Sequence, residues 1–540
     1  MKKLLSIFLV VCLVFVAACG TTEPGPAPAT PTPAPSPPAA TDAPAPGVNP
    51  DVVPEHVDRI ADHITIMNDG VVTPVIDAFS NAGTAAQSNW VYTMITDKLI
   101  VLNEDTGEFE PMLALSWTTP DFRTFTFNLR EDVYFHNGEH FTAADVKFTA
   151  EISREFPGSH GYDRWRPVVE ANVISTYVVE LVLENPNAGF YTLIASPPAG
   201  IYNEVAYQTQ PDTWTWIGTG PYYVSGFSSN DYVDLTRNDN FWGEISPTQT
   251  VSFRYVPEEA VRPVMLMNGE FQFSLGILPD DLHLFDGNAD FQQLPRFLSS
   301  PISVGFNQTD PITSDRNFRM AVIYALDGNE IGLVGEGDRG YAPMDDGSVW
   351  GKSVPFRNTN IPRIQQNIET AKEYLEASVW NGEVVRIAAM PGGLGRCAEM
   401  LQEQMKAIGL ELDVQIMDQP SLFAHVAFGN NQSQMYIFPA IFDLCPFMGT
   451  RNNFTNTSSN MTSYVNPLIE ELIVRAEGTI DPEGQRAIFY EIQEIVAEDY
   501  PLYPMFWKQF VDVSWSNVGG FKMSNTSPWH IFRGIYQILD

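Results

Sequence analysis

Residues 384–390 (VVRIAAM), 411–417 (ELDVQIM) and 434–439 (QMYIFP) are short apolar runs separated by two helical stretches, 395–408 and 421–428. Each run has the length of a strand rather than a helix. Strand, helix, strand, helix, strand at this spacing predicts a parallel sheet with right-handed crossovers. Ligands of such sheets bind beyond the carboxyl ends of the strands. Those ends lead into 390–397 (MPGGLGRC) and 440–446 (AIFDLCP). If the first and third strands are neighbours, both loops face one cleft, and Cys397 and Cys445 lie on one side of the sheet. A disulfide and two buried thiols both fit that placement.

Working outward, Phe318, Ala321, Val322, Ala325 and Leu326 fall on one helical face, as do Ile368, Ala371 and Leu375. Asn466-Pro467 and Asp481-Pro482 each set a capping side chain before a proline at the first helical position. The half before residue 300 reads differently. Residues 122–129 (FRTFTFNL) alternate like a half-buried strand. Residues 130–146 (REDVYFHNGEHFTAADV) read as a strand, an Asn-Gly turn and a helix from Thr142. Further strands are expected at 177–183, 222–227, 232–237 and 251–255. One half is mostly β and the other alternates, so two lobes are expected. No internal repeat is visible.

The amino terminus sets the compartment. Lys2 and Lys3 precede an apolar stretch, 4–16, too short to span a bilayer, so it reads as a signal peptide. Val16-Ala17-Ala18-Cys19 resembles the bacterial lipobox, in which the cysteine is lipidated and becomes the mature terminus. Ordinary secretion with a free Cys19 is the alternative. Residues 19–50 follow as a Pro/Ala/Thr-rich linker; 21–50 holds eleven of the chain's 41 prolines. Proline cannot donate to a helix or sheet, so this stretch is expected to be an extended tether. No later stretch offers the apolar length that a membrane helix needs. The formal charge of −36 repels nucleic acid and excludes it as a partner.

The body from Ile64 onward resembles the extracellular substrate-binding proteins of ABC transporters, in the group that binds peptides, nickel complexes and some oligosaccharides. The residues that carry the resemblance run in the family's order. They are 110–114 (EPMLA) with Ser116-Trp117, then 125–146 (FTFNLREDVYFHNGEHFTAADV), the most specific of them. Next come 218–222 (GTGPY), Arg237-Asn238 with Phe241-Trp242, 267–270 (MNGE), and Phe306-Asn307 with 315–326. Arg396 and 398–402 (AEMLQ) with Ile408-Gly409 complete the series.

The resemblance implies an α/β, two-lobed, periplasmic-binding-protein-like fold, type II and of the large three-subdomain variety, with mixed sheets and a hinge. A signal peptide, 1–18, comes first. The first lobe is expected from 51–98, 214–300 and 507–540, with an inserted subdomain at 99–213. The second lobe is expected at 301–506. The implied function is capture of a small solute between the lobes and delivery to membrane permease subunits. The chain is expected to be monomeric, non-enzymatic, and held to the outer face of the membrane by its lipid. An oligopeptide is the leading ligand; an oligosaccharide or a nickel chelate is the alternative.

Ligand-binding candidates follow. Peptide-binding relatives place an Asp after the third strand of the second lobe, where it meets the peptide ammonium. Aligning on Pro446 puts Phe442 at that place and Asp443 one residue late, and the motif's Trp is missing. Arg396, at a helix start beyond a strand end, could meet a carboxylate or be a surface arginine. Trp214, Trp216 and Trp529 could stack on a ligand or fill core. Other motifs carry no chemistry. Residues 335–340 (GEGDRG) spell GxGxxG with no preceding strand, and 347–353 (GSVWGKS) is one residue short of a phosphate loop. In 136–140 (HNGEH) the Asn-Gly turn breaks the helix that a zinc site needs. No cofactor and no metal are expected.

Overall fold

A computed structural model describes residues 59–68, 85–103, 106–157, 159–228, 231–298, 300–352, 354–426, 432–439, 445–457, 460–523 and 531–539. The signal segment, Cys19 and the linker lie outside the described residues. So do Phe442, Asp443 and Trp529.

The three apolar runs are strands, Val385–Ala389, Leu412–Ile416 and Met435–Pro439, separated by the helices Gly393–Met405 and Gln419–Val426. Val385–Ala389 pairs in parallel with both of the others. The first and third runs are therefore neighbours, with their carboxyl ends on one edge. Val385, Ile387, Ala388 and Ala389 are all buried, as expected of a strand covered on both faces. Ile302–Phe306 joins antiparallel to Met435–Pro439 and starts the link to the rest of the molecule.

That link is the fourteen-residue strand Leu502–Trp515. Its first part pairs with Ile302–Phe306, and Trp507 and Lys508 pair with Tyr341–Ala342. From Gln509 onward it pairs with Phe291–Phe297. The chain thus passes between the two half-sheets twice, once within this strand and once from Phe297 to Ile302. The far half-sheet places His63–Asn68 parallel to Thr250–Tyr255 and to Phe273–Ser274, with Tyr232–Arg237 and Tyr222–Ser228 antiparallel outside them. Pairing is mixed throughout, and the class is α/β.

Between residues 99 and 213 lies a separate four-stranded antiparallel sheet, in the order Ala114–Thr118, Thr124–Leu129, Val178–Leu183, Val168–Ser175. The alternation in 122–129 does what it predicts: Phe125, Phe127 and Leu129 turn inward. The strand expected after Arg130 shrinks to one bridge, Tyr134 to His140, closed over Gly138 at φ +86°. A left-handed turn so close to the helix start leaves too little chain for a ladder. The helix Ala143–Ile152 begins in a capping box, with Thr142 and Asp145 each satisfying the other's backbone N–H. The other two predicted caps form as well, Asn466 before Pro467–Glu477 and Asp481 before Pro482–Asp499.

Candidate functional site

The small 99–213 unit meets both halves of the molecule, and the two meetings are built from different chemistry. On the side of the first half-sheet, the HNG and GTGPY motifs interlock. The His136 backbone N–H donates to the Gly218 carbonyl at 2.9 Å, and the Gly218 N–H donates to His136 Nδ1 at 3.2 Å. With Nδ1 accepting, Nε2 carries the proton and donates to the Gly220 carbonyl at 3.0 Å. The ring is thereby fixed as neutral, and burial pushes its pKa below the ordinary histidine value. Gly218 and Gly220 are required because a Cβ on either would collide with the backbone of Met94 and Ile95.

Beside this lock sits Asp97, fully buried. Its carboxylate accepts from Thr219 Oγ1 and Trp242 Nε1, both at 2.8 Å, and from Arg533 Nη2 at 2.6 Å. Thr219 is the middle of GTGPY and Trp242 the end of the RN-x-x-FW motif, so two of the family-like segments converge on one carboxylate. The chemistry is structural: a buried charge held by three donors is costly to disturb.

The opposite meeting is with the helix Pro446–Phe454, which leaves the end of the third parallel strand. Phe447 lies over Gly189, and Arg164 Nη1 donates to Met448 Sδ at 3.1 Å. The Ala188 N–H donates to the Glu477 carbonyl at 3.1 Å. One apolar core runs through this contact from Phe125 and Phe190 to Phe447 and Phe489.

At the first strand end, Glu336 closes the helix Gly328–Glu336 and packs its carboxylate against Gly393, the first residue of the helix Gly393–Met405. A carboxylate is favoured there by the helix dipole. Lys508 Nζ, on the crossing of the long strand, pairs with it at 2.8 Å. Arg396 Nε and Nη2 both donate to the Gly335 carbonyl, at 3.0 and 2.6 Å. Arg396 therefore ties two helix ends together and has already committed two of its donors.

The remaining candidates are placed as follows. Cys397 and Cys445 are both buried thiols, and no bridge joins them. The expected shared side of the sheet is not realised: Cys397 packs in the core around the parallel strands, Cys445 in the core shared with the small unit. Burial and the nearby Glu336 push the Cys397 thiol up to about 12. Trp214 packs among Tyr202, Tyr207 and Phe148 as core, and Trp216 packs on Phe227. The GxGxxG segment is a helix end and a loop, with Gly337 at φ +74°. Among the described residues no cluster of three or more His, Cys, Asp or Glu side chains could hold a metal ion.

A cavity of about 90 Å³ lies between the small unit and the first half-sheet, with Lys98, Lys522, Arg533 and Glu110 on its walls. Three basic side chains around one hollow stand out in a chain with 30 basic and 66 acidic residues. Pro197 lines the cavity too, and its neighbour Ser196 accepts from Arg164 Nε at 2.8 Å. Sequence reading missed Asp97, Phe447 and Gly189 as positions of interest. No motif marks them; their roles come from contacts distant in sequence.

Two half-sheets joined by two crossings, with a third unit touching both, define a two-lobed binding protein of type II. Residues 108–462 match the model of the bacterial extracellular solute-binding proteins, family 5 Middle. The chain belongs to this family, whose members are the solute-binding components of ABC importers. It is 24% identical over 430 residues to the glutathione-binding protein GsiB of Shigella dysenteriae serotype 1 (strain Sd197), covering 76% of this chain and 83% of that one. It is 25% identical over 466 residues to the nickel-binding periplasmic protein of Escherichia coli (strain K12), covering 79% and 86%. The dipeptide-binding protein from Pseudoalteromonas sp. SM9913, in complex with Met-Leu, superposes with a TM-score of 0.77 at 18% identity, over 88% of this chain and all of that one. The family is extracytoplasmic, and no helix among the described residues is long and apolar enough to cross a membrane.

Proposed function

We propose that this solute-binding protein captures oligopeptides, without turnover, and hands them to a permease while tethered to the membrane through a lipid on Cys19. The observation that supports the peptide reading is the hollow in the first lobe with Lys98, Lys522 and Arg533 on its walls, Arg533 being paired with Asp97. A peptide carboxylate needs such a partner, and a neutral oligosaccharide does not. The names of the glutathione-binding and dipeptide-binding relatives support it. Arg396 has two donors on Gly335, and Arg533 is likewise committed to Asp97. The proposal keeps Asp443 as the partner of the ligand ammonium, with Phe442 beside it, on sequence grounds. Trp214 and Trp216 are kept as core-side supports of the wall. The first lobe comprises 51–98, 214–300 and 507–540, the inserted subdomain 99–213, and the second lobe 301–506; the crossings at Phe297–Ile302 and within Leu502–Trp515 support these bounds.

Native mass spectrometry of the protein purified from its own host tests the ligand class. Retained masses that fragment as peptides are expected. A retained sugar or nickel chelate, with no binding of a tripeptide-to-pentapeptide library, overturns the reading. Cys19→Ser should release the protein from the membrane fraction, and an unchanged membrane fraction would remove the tether.

A further inference from the structure

Among the described residues, the contact between the small unit and the helix Pro446–Phe454 centres on the Phe447 ring, within an apolar core that both sides share. Phe447 is 6% exposed and packs edge-on against Phe489, with centroids 5.0 Å apart. Gly189, beneath it, has φ −74° and ψ −6°, an ordinary right-handed conformation that any residue adopts. Its backbone gives no reason for glycine. Its surroundings do: a Cβ there would lie 2.6 Å from Phe447 Cδ2 and 3.0 Å from Cε2. Glycine at 189 thus makes room for a ring that arrives from the other lobe.

The rest of the contact is easily surrendered. One backbone hydrogen bond, Ala188 to Glu477, can be replaced by water, and the Arg164 to Met448 sulfur contact is soft. Neither involves a solute. The ring alone gains appreciably from being covered.

We propose that Phe447 seated over Gly189 is the catch that holds the lobes shut, and that it closes by apolar burial before any solute is bound. The inference rests on the two-lobed receptor reading for the movement it presumes, and on no ligand class. Phe447 and Gly189 act as positioning residues: they touch no solute and set how much of the time the small unit and the second lobe are held together.

The test is hydrogen exchange on the full chain, stripped of solute by unfolding and refolding, comparing wild type with Gly189→Ala and the milder Phe447→Leu. In wild type the Ala188 amide should be protected without solute. Gly189→Ala should speed its exchange at least tenfold, and Phe447→Leu by less, while the Gly218 and Gly220 amides on the other side of the unit stay unchanged. Three results overturn the proposal. They are an Ala188 amide in wild type that exchanges as in a free peptide, one that Gly189→Ala leaves unchanged, or Ala188, Gly218 and Gly220 all accelerating together. The last would make the contact one piece of a single core. A solute is absent in every arm, so none of these results bears on which ligand the protein carries.

Discussion

The two sides of the 99–213 unit differ in what holds them. Toward the first half-sheet, the contact is polar: His136 uses both ring nitrogens and its backbone N–H, beside the buried Asp97 that Thr219, Trp242 and Arg533 hold within that half. Toward Pro446–Phe454, among the described residues, it is an apolar core centred on a ring seated over a glycine, with a backbone hydrogen bond and a sulfur contact beside it. Opening the first would break the three hydrogen bonds of His136 to Gly218 and Gly220, at about 1–3 kcal/mol for each buried group left unsatisfied. Opening the second uncovers the Phe447 ring, roughly 1.5–3 kcal/mol, together with whatever else of the shared apolar core it divides. On the proposed closure, the unit travels with the first lobe and parts from the second. Proteins open where contacts are few and apolar burial is small, and rigid bodies are joined where polar groups have no water to return to.

The largest expected effect tests the fixed side. Asp97→Ala leaves the Arg533 guanidinium and the Trp242 N–H buried without their acceptor, and should cost about 3–5 kcal/mol in urea unfolding. A loss below about 1 kcal/mol would mean that the carboxylate does not hold together the part of the first half on which the His136 lock rests. An intermediate effect sharpens the contrast. Phe125→Ala, in the closed core of the small sheet, should cost about 3–5 kcal/mol. Phe447→Ala should cost clearly less, because the open form already gives up part of that contact. Equal losses in the same melt would make the two contacts alike.

The smallest effect is a pH dependence. Burial lowers the His136 pKa in the folded protein below its unfolded value of about 6.5. A depressed pKa means that the neutral ring is the one the fold prefers. Its stabilising contribution is then full above pH 6.5 and is lost as pH falls toward the folded pKa. The stability difference between wild type and His136→Gln, about 1 kcal/mol at neutral pH, should shrink on acidification. A difference that grows instead would mean that the fold prefers the charged ring.

Much of the fold was legible because its cues are local. The period-2 run in 124–129, the Asn-Pro and Asp-Pro helix starts and the spacing of the three parallel strands each need only neighbouring residues, and each formed. The site was less legible because its logic is long-range. Asp97 and Arg533 are 436 residues apart in the chain, and Gly189 is explained only by Phe447. Motif-reading found the GTGPY and FW segments without revealing that both serve one carboxylate. The cysteines show the same limit: two loops at neighbouring strand ends suggested proximity, yet the helices that follow carry the thiols into separate cores. Arg396 read as a ligand cation because its own helix start favours anions, and the carbonyl of Gly335, from another helix, claims it first.

The central claim is that the small unit and the second lobe part and rejoin across the Phe447 contact. Electron spin distance measurements between nitroxides at Val173 and Val474, both exposed and on opposite sides of that contact, test it most directly. Two distance populations are predicted for the stripped protein, with the shorter one gaining on addition of a tripeptide-to-pentapeptide library and losing in Gly189→Ala. A single distance, the same in all three samples, would contradict it.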